Sequence, residues 1–405
     1  MESFWKYFAA LFSVGLINNF SYVLIGVGAQ TISSHFGQKN LMPLFQFMLV
    51  SCNIPILILN FRYLVSVNTL LRITISSFTM VGCFVVMSIC VSTDGSWGFP
   101  ISLIAALLMG MCQSLGECVN LGYIKAFPSE YLVGFTSGTG FAGIAGSGAW
   151  LFCRAIGLQN FEVFLIFMPL IVVYWLSFLW IYRKGKSYVN VQQYSMVQGH
   201  LGSPDPSESQ SEFLTEKKSP EKSAVSSTGN EIFSIELLKK VWKRMWWLGF
   251  NLGSVYFLEY CITTGFADRA TLKYSGNGSF FKENAFEIIQ FCYQIGVWCS
   301  RSSLKFFKIE RTWIITLLQL FNWVIWWLEA EFLFMTEWGE FILTIWVGCM
   351  GGLSYVNTGY IVLNSDIIPK EQKEASMNVS VCMNSLGILL ATCFCLILDN
   401  FIMKN

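Results

Sequence analysis

The chain is 405 residues long, 54% hydrophobic and 13% charged, with a mean hydropathy of +0.54. A soluble domain of this size carries about twice that charged fraction, so composition excludes an ordinary soluble globular protein. A formal net charge of +1 implies no nucleic-acid or polyanion partner.

In chain order, apolar stretches of the roughly 20 residues needed to cross a bilayer fall near 7–29, 41–60, 70–92, 99–124, 131–153 and 161–182, then 242–265, 284–304, 311–330, 337–363 and 374–399. The first lacks a basic n-region and a small-residue cleavage site, so it reads as a retained span rather than a removed signal peptide. The pattern predicts an all-α polytopic membrane protein of about eleven helices in two parallel repeats. A six-helix half covers 1–182, a polar linker 183–240 and a five-helix half 241–405. The linker is rich in Ser, Glu, Lys, Gly and Pro, cannot bury enough apolar surface to fold alone and is expected to be disordered.

Arg62, Arg72, Lys125, Arg183, Lys184, Lys239, Lys240, Arg301, Lys308, Arg311, Lys370 and Lys373 all fall on one side of this arrangement. The positive-inside rule makes that side, with the amino terminus, cytosolic. Asn277-Gly-Ser279 is then a lumenal N-glycosylation acceptor. Tyr188-Val-Asn-Val and Tyr194-Ser-Met-Val lie in the cytosolic linker as patterns that adaptor proteins read. Thirteen cysteines, mostly within apolar runs, and only two histidines point to small buried hydrophobes, so no metal or cofactor is expected.

The duplication is written in Val119-Asn-Leu-Gly-Tyr-Ile124 and Val356-Asn-Thr-Gly-Tyr-Ile361, 237 residues apart (357 − 120). Arg62 and Arg72 are ten apart, as are Arg301 and Arg311. Parallel repeats are the trace of transporters that rock one half against the other. Asn120 and Asn357 should then face each other across one cavity.

Charge inside a span costs about 2.5–3.5 kcal/mol on insertion scales, so Glu117 and Glu259 stand out. They are either a cavity-facing pair that binds substrate or a proton, or acids hydrogen-bonded between helices. Asn18, Asn19, Tyr22, Asn120, Tyr260, Gln294 and Asn357 supply further polarity for a substrate cavity, or alternatively interhelical hydrogen bonds. Span five, Gly134-Phe-Thr-Ser-Gly-Thr-Gly140 and onward, suits close helix packing; Ser137, Thr139 and its amides could also hold an oxyanion. Arg301 closes span eight, as a clamp on a neighbouring carboxylate that fixes a gating state or as a plain cytosolic anchor. No constellation for an intramembrane enzyme occurs in the spans.

Asn18-Asn19-Phe-Ser-Tyr-Val23, Leu115-Gly-Glu117, Ser137-Gly-Thr-Gly140, Glu259-Tyr260, Tyr293-Gln-Ile-Gly-Val297, Ser300-Arg-Ser-Ser-Leu304 and Gly351-Gly-Leu-Ser-Tyr-Val-Asn-Thr358 together resemble the battenin family. The motifs run from the first span to the tenth. The resemblance implies a major-facilitator-like fold in lysosomal, late endosomal or vacuolar membrane. It also implies a role in clearing glycerophosphodiesters and in lysosomal pH and basic amino-acid homeostasis, with family positions carried onto Glu117, Glu259 and Arg301. Animal members end in a prenylation-type Cys motif, whereas this chain ends Phe-Ile-Met-Lys-Asn405, so anchoring by that route is not expected. The leading expectation is a secondary transporter of a small polar metabolite. Transport of arginine or a nucleoside, and a non-transporting scaffold that recruits trafficking partners, are the alternatives.

Overall fold

A computed structural model describes residues 2–93, 95–124, 127, 129–185, 235–274, 278–303, 306, 308–366, 368–369 and 372–402. Regular structure among them is helical throughout, as it must be where no water can satisfy the backbone. The first stretch forms α1 (Glu2–His35), α2 (Pro43–Ser51), α3 (Asn53–Arg62), α4 (Thr69–Ser92), α5 (Gly98–Ile124), α6 (Ser129–Ala155) and α7 (Asn160–Lys184). The second forms α8 (Ile235–Tyr260), α9 (Ala267–Thr271), α10 (Phe280–Glu283), α11 (Ala285–Arg301), α12 (Thr312–Phe332), α13 (Glu337–Asn364) and α14 (Lys373–Ile397).

Eight of these segments are long and apolar enough to cross a membrane: α1, α2 with α3, α4, α5, α7, α12, α13 and α14. α6 is diluted by Gly, Ser and Thr, α8 opens on Lys239, Lys240, Lys243 and Arg244, and α11 is only 17 residues long. Each nevertheless lies along one of the eight: α6 on α1, α8 on α14 and α11 on α13.

Three expectations from sequence need correction. The stretch 41–60 is two helices that break at Cys52, with Pro55 just beyond. Proline has no N–H to donate and is tolerated in a first helical turn, so it begins α3 rather than continuing α2. The stretch 242–265 is not one regular helix either: α8 loosens into a π-helical turn over Cys261–Phe266 before α9. Finally, α8 starts at Ile235, so residues 235–240 belong to a helix rather than to the linker. Residues 186–234, with both tyrosine tetrapeptides, and Asn277 lie outside the described residues.

The packing repeats itself. α1 runs along α6 as α8 runs along α14, and α2 with α3 flanks α5 as α11 flanks α13. The two sets meet through α6 on α11 and through α2 on α14, again an equivalent pair. Glycine makes the first pairing possible in both sets. A Cβ on Gly15 would lie 2.3 Å from the Phe135 carbonyl oxygen, and one on Gly138 2.2 Å from that of Phe12. In the second set a Cβ on Gly387 would lie 2.3 Å from the Gly253 carbonyl oxygen. Small residues let backbones approach where lipid offers no hydrophobic drive for association. Gly138→Leu should therefore force α6 off α1 and destabilise the fold by about 1–3 kcal/mol. An unfolding midpoint in micelles equal to that of the wild type would refute this role.

At the end where α1 finishes, the distal end, hydrogen bonds join the two sets. Gln30 on α1 donates to Asp268 Oδ1 (2.6 Å) and to Thr271 Oγ1 (3.1 Å) on α9. Thr31 donates to Glu287 Oε1 on α11 (2.5 Å), and Asn40 to Asn400 Oδ1 (2.6 Å). This end carries cations as well as acids: Lys39, Arg154, Lys273 and Lys282.

Candidate functional site

Glu117 sits on α5, two turns after Gly110 lets that helix press on α2; a Cβ at Gly110 would lie 2.0 Å from the Leu49 carbonyl oxygen. One turn earlier on the same face, Gln113 donates to Glu117 Oε2 (2.9 Å) and to Asn19 Oδ1 (2.6 Å) on α1. Asn19, Gln113 and Glu117 thus form one half-buried polar group.

Glu259 comes from α8, immediately before the π-helical turn, and is buried at 1% exposure. Tyr293 on α11 donates its hydroxyl to Glu259 Oε1, and Oε2 is buried with no hydrogen-bond partner. Gly351 on α13 opens the space for this carboxylate: a Cβ there would lie 2.1 Å from Oε2. π-turns recur at functional sites because they displace a side chain and free a carbonyl. Here Gln290 Nε2 takes up the Thr263 carbonyl at 2.7 Å.

Arg301 joins the two groups. It ends α11, yet it does not turn outward as an anchor. Its guanidinium lies over the Tyr355 ring, 4.8 Å from the centroid, and faces the Tyr256 hydroxyl. It attracts both the Glu117 and the Glu259 carboxylates, and its Nε is buried without a hydrogen-bond partner. A cation held against an aromatic face, within electrostatic reach of two carboxylates, is ordered as a planar donor rather than left as a mobile charge. Sequence reasoning left Arg301 as a gate or an anchor and gave no site role to Tyr256, Tyr293 and Tyr355. Tyr355 was visible one residue after Ser354, the repeat partner of Glu117, but nothing in the sequence paired it with Arg301.

Next to Glu259 and between the two helix sets is a cavity with about 50 Å³ of room for water, lined among others by Tyr22, Gln46, Tyr260, Gln290, Tyr293 and Gln294. That volume holds one or two waters. Tyr22 accepts from Gln46 Nε2 (2.6 Å) and faces Tyr260. Three of the expected residues, Tyr22, Tyr260 and Gln294, therefore share one cavity from both sets.

Other expected residues are placed differently. Asn18 and Asn120 are fully buried beside Tyr174 of α7: Asn120 donates to the Tyr174 hydroxyl (3.2 Å) and Asn18 donates to the Gln113 carbonyl (3.1 Å). Asn357 is fully buried too, accepting from the Ile309 amide (2.7 Å) and donating to the Leu353 carbonyl (2.9 Å). Asn120 and Asn357 thus do not face each other. Each ties its helix to its own set, since a buried amide must find partners nearby. Ser137 is exposed on α6, and the Thr139 hydroxyl donates back to the Thr136 carbonyl (2.9 Å). The amides of α6 are no oxyanion cradle, because the helix is continuous from Ser129 to Ala155 and its interior amides serve its own carbonyls.

A family model described as CLN3 protein matches residues 8–405. The chain belongs to the CLN3 protein family. Battenin of Dictyostelium discoideum is 32% identical over 394 residues, spanning 96% of this chain and 92% of that protein. Protein BTN1 of Kluyveromyces lactis is 27% identical over 408 residues, spanning 99% and 95%. Battenin of Canis lupus familiaris is 25% identical over 425 residues, spanning 98% and 91%. Among solved structures, a POT family transporter in complex with 5-aminolevulinic acid aligns with TM-score 0.64 at 12% identity, over 96% of this chain and 90% of the other. A bacterial homolog to the human lysosomal transporter Spinster, inward-facing and unoccupied, gives 0.55 at 16% identity, over 96% and 81%. This CLN3 family member has the transporter-like, all-helical fold expected from its duplication; at such identities the likeness to solved structures is one of fold.

Proposed function

We propose that this protein is a secondary transporter of the lysosomal or vacuolar membrane that exports a small polar metabolite of the glycerophosphodiester class. In this reading α6, α8 and α11 complete eleven crossings, the helices up to Lys184 and those from Ile235 onward are the two halves, the intervening linker is cytosolic, and the amino terminus faces the cytosol. The observation that carries the reading is Arg301, stacked on Tyr355 and within electrostatic reach of Glu117 in the first half and of the buried Glu259 in the second. An ionisable cluster at the junction of two repeats is where transporters of this architecture bind substrate and coupling ions.

The geometry gives each residue a role. Arg301, with Tyr256 and Tyr355 around it, receives an anionic oxygen. Two carboxylates against one guanidinium leave the cluster one negative charge in excess, so an anion enters with a proton. Glu259 is the proton acceptor, because Oε2 is buried without a partner while Oε1 is occupied by Tyr293. Gln30, Thr31 and Asn40 close the distal, lumenal side in this conformation. That excess negative charge also favours a second reading, transport of a cationic amino acid such as arginine. The two separate by competition, since only one solute class should suppress flux of the other.

Glu259→Gln tests the proposal. Flux of a glycerophosphodiester into proteoliposomes should fall at least tenfold and lose its dependence on a proton gradient, with folding unchanged. Undiminished, gradient-dependent flux in the variant would make Glu259 a structural acid.

A further inference from the structure

A second cavity of about 200 Å³ opens at the distal end between α1, α6, α9 and α11. Its charged walls are Lys39, Arg154 and Lys282 against Glu283 and Glu287, three cations to two carboxylates, a surplus of one (3 − 2). Gln30, Thr31, Ser34 and Thr271 add an amide and three hydroxyls. Glu287 already accepts from Thr31 (2.5 Å), so it is not turned wholly to the cavity. Arg154 is under-used: its Nε is buried without a partner, and its contact with Asn160 Oδ1 is 3.5 Å long. The cations also act on the acids that join the two halves, Arg154 on Glu287 and Lys39 on Asp268.

We propose that this vestibule is a docking site for a phosphodiester flanked by hydroxyl groups, with Arg154 and Lys39 as its anion-binding side chains. The inference rests on the reading of the chain as a metabolite transporter and gives the incoming solute a first station on the lumenal side. A phosphodiester carries one negative charge, which the surplus cation balances; a phosphate monoester would leave the site negative and a cationic solute would leave it doubly positive. Arg154 presents a planar fork that matches two phosphate oxygens, with Lys39 as a point charge beside it. The hydroxyls and Gln30 suit a glyceryl chain. Such a group reaches the vestibule either as a free glycerophosphodiester or as the headgroup of a phospholipid.

The test uses the full chain in dodecyl maltoside micelles, which contain no phosphate. Ser34→Cys places a thiol in the vestibule, and its reaction with neutral methyl methanethiosulfonate is followed by mass spectrometry of the peptide. Saturating glycerophosphoglycerol, or phosphatidylglycerol added to the micelle, should slow labelling at least tenfold. Protection by the first identifies a free solute, and protection by the second alone identifies a headgroup. Arg154→Gln should abolish protection and Arg154→Lys should keep part of it, with glycerol giving none. Equal protection by L-arginine, protection that survives Arg154→Gln, protection by neither phosphodiester, or a thiol that never reacts overturns the proposal. Flux through Glu259→Gln is read in parallel. Loss of flux there without protection at Ser34→Cys removes the docking site and leaves the transporter; absence of gradient-dependent flux in the wild-type protein itself removes the transporter reading.

Discussion

Arg301→Gln should reduce glycerophosphodiester flux about 100-fold, equivalent to ~2.8 kcal/mol, in a protein that still inserts and elutes as a single species. Arg301 lies on the Tyr355 face and within electrostatic reach of an acid in each half, Glu117 and Glu259. Removing its charge therefore removes the cation that acts on Glu117 and Glu259 at once. Part of any loss would be a cost to the fold, because breaking a buried charge network leaves unpaired acids. Arg301→Gln with Glu117→Gln separates the two effects: it restores charge balance and should recover stability without recovering flux. Arg301→Lys should stay at least tenfold impaired, since an ammonium cannot lie flat on Tyr355 while forking toward a substrate. Flux within twofold of the wild type in Arg301→Gln would show that Arg301 is a helix-end anchor after all.

Much of the architecture was legible because membrane helices are specified by composition within one segment. The duplication was legible in two hexapeptides and in the glycines of α6, whose packing role against α1 is borne out at Gly138. Glu117 and Glu259 were conspicuous for the same reason, as charges in apolar runs. Arg301 was visible with two readings open, a carboxylate clamp or a plain anchor. At the end of a helix an arginine looks like an anchor, and only the approach of Tyr256 and Tyr355 turns it inward. Its repeat partner Arg62 shows why sequence equivalence was insufficient: Arg62 is exposed and lies 5.8 Å over the ring of its neighbour Tyr63. Asn120 and Asn357 erred in the opposite sense. They are repeat equivalents, but a duplicated side chain keeps its orientation within each half, so each bonds locally instead of meeting across the junction. The distal cations went unnoticed because Lys39, Arg154 and Lys282 are far apart in sequence and converge only when α1, α6 and α11 pack.

Lys273→Met should be the most destabilising single substitution proposed here, costing about 3–5 kcal/mol. Lys273 follows α9 and donates to Glu329 of α12, to Glu340 Oε1 of α13 at 2.7 Å and to the Met335 carbonyl at 2.9 Å. The side chains of both glutamates are 0% exposed, and that of Lys273 only 16%. The lysine is thus the shared cation of two acids that the α12–α13 turn has taken out of water. Glu329 is also committed to that turn, accepting from the Met335 amide at 2.7 Å next to Leu333, which adopts φ 51°. Methionine has a similar length but no charge, so the acids would have to take up protons or draw water in. Either route strains the turn that joins α12 to α13, and α13 carries Gly351 and Tyr355 of the central cluster. The midpoint of unfolding in micelles should fall accordingly, and should recover in part when Glu340→Gln is added, because one buried charge is then absent. A midpoint within experimental error of the wild type for Lys273→Met would mean that water already screens the glutamates. Unequal effects on stability and flux would separate the cluster's role in holding the α12–α13 turn from any role in transport.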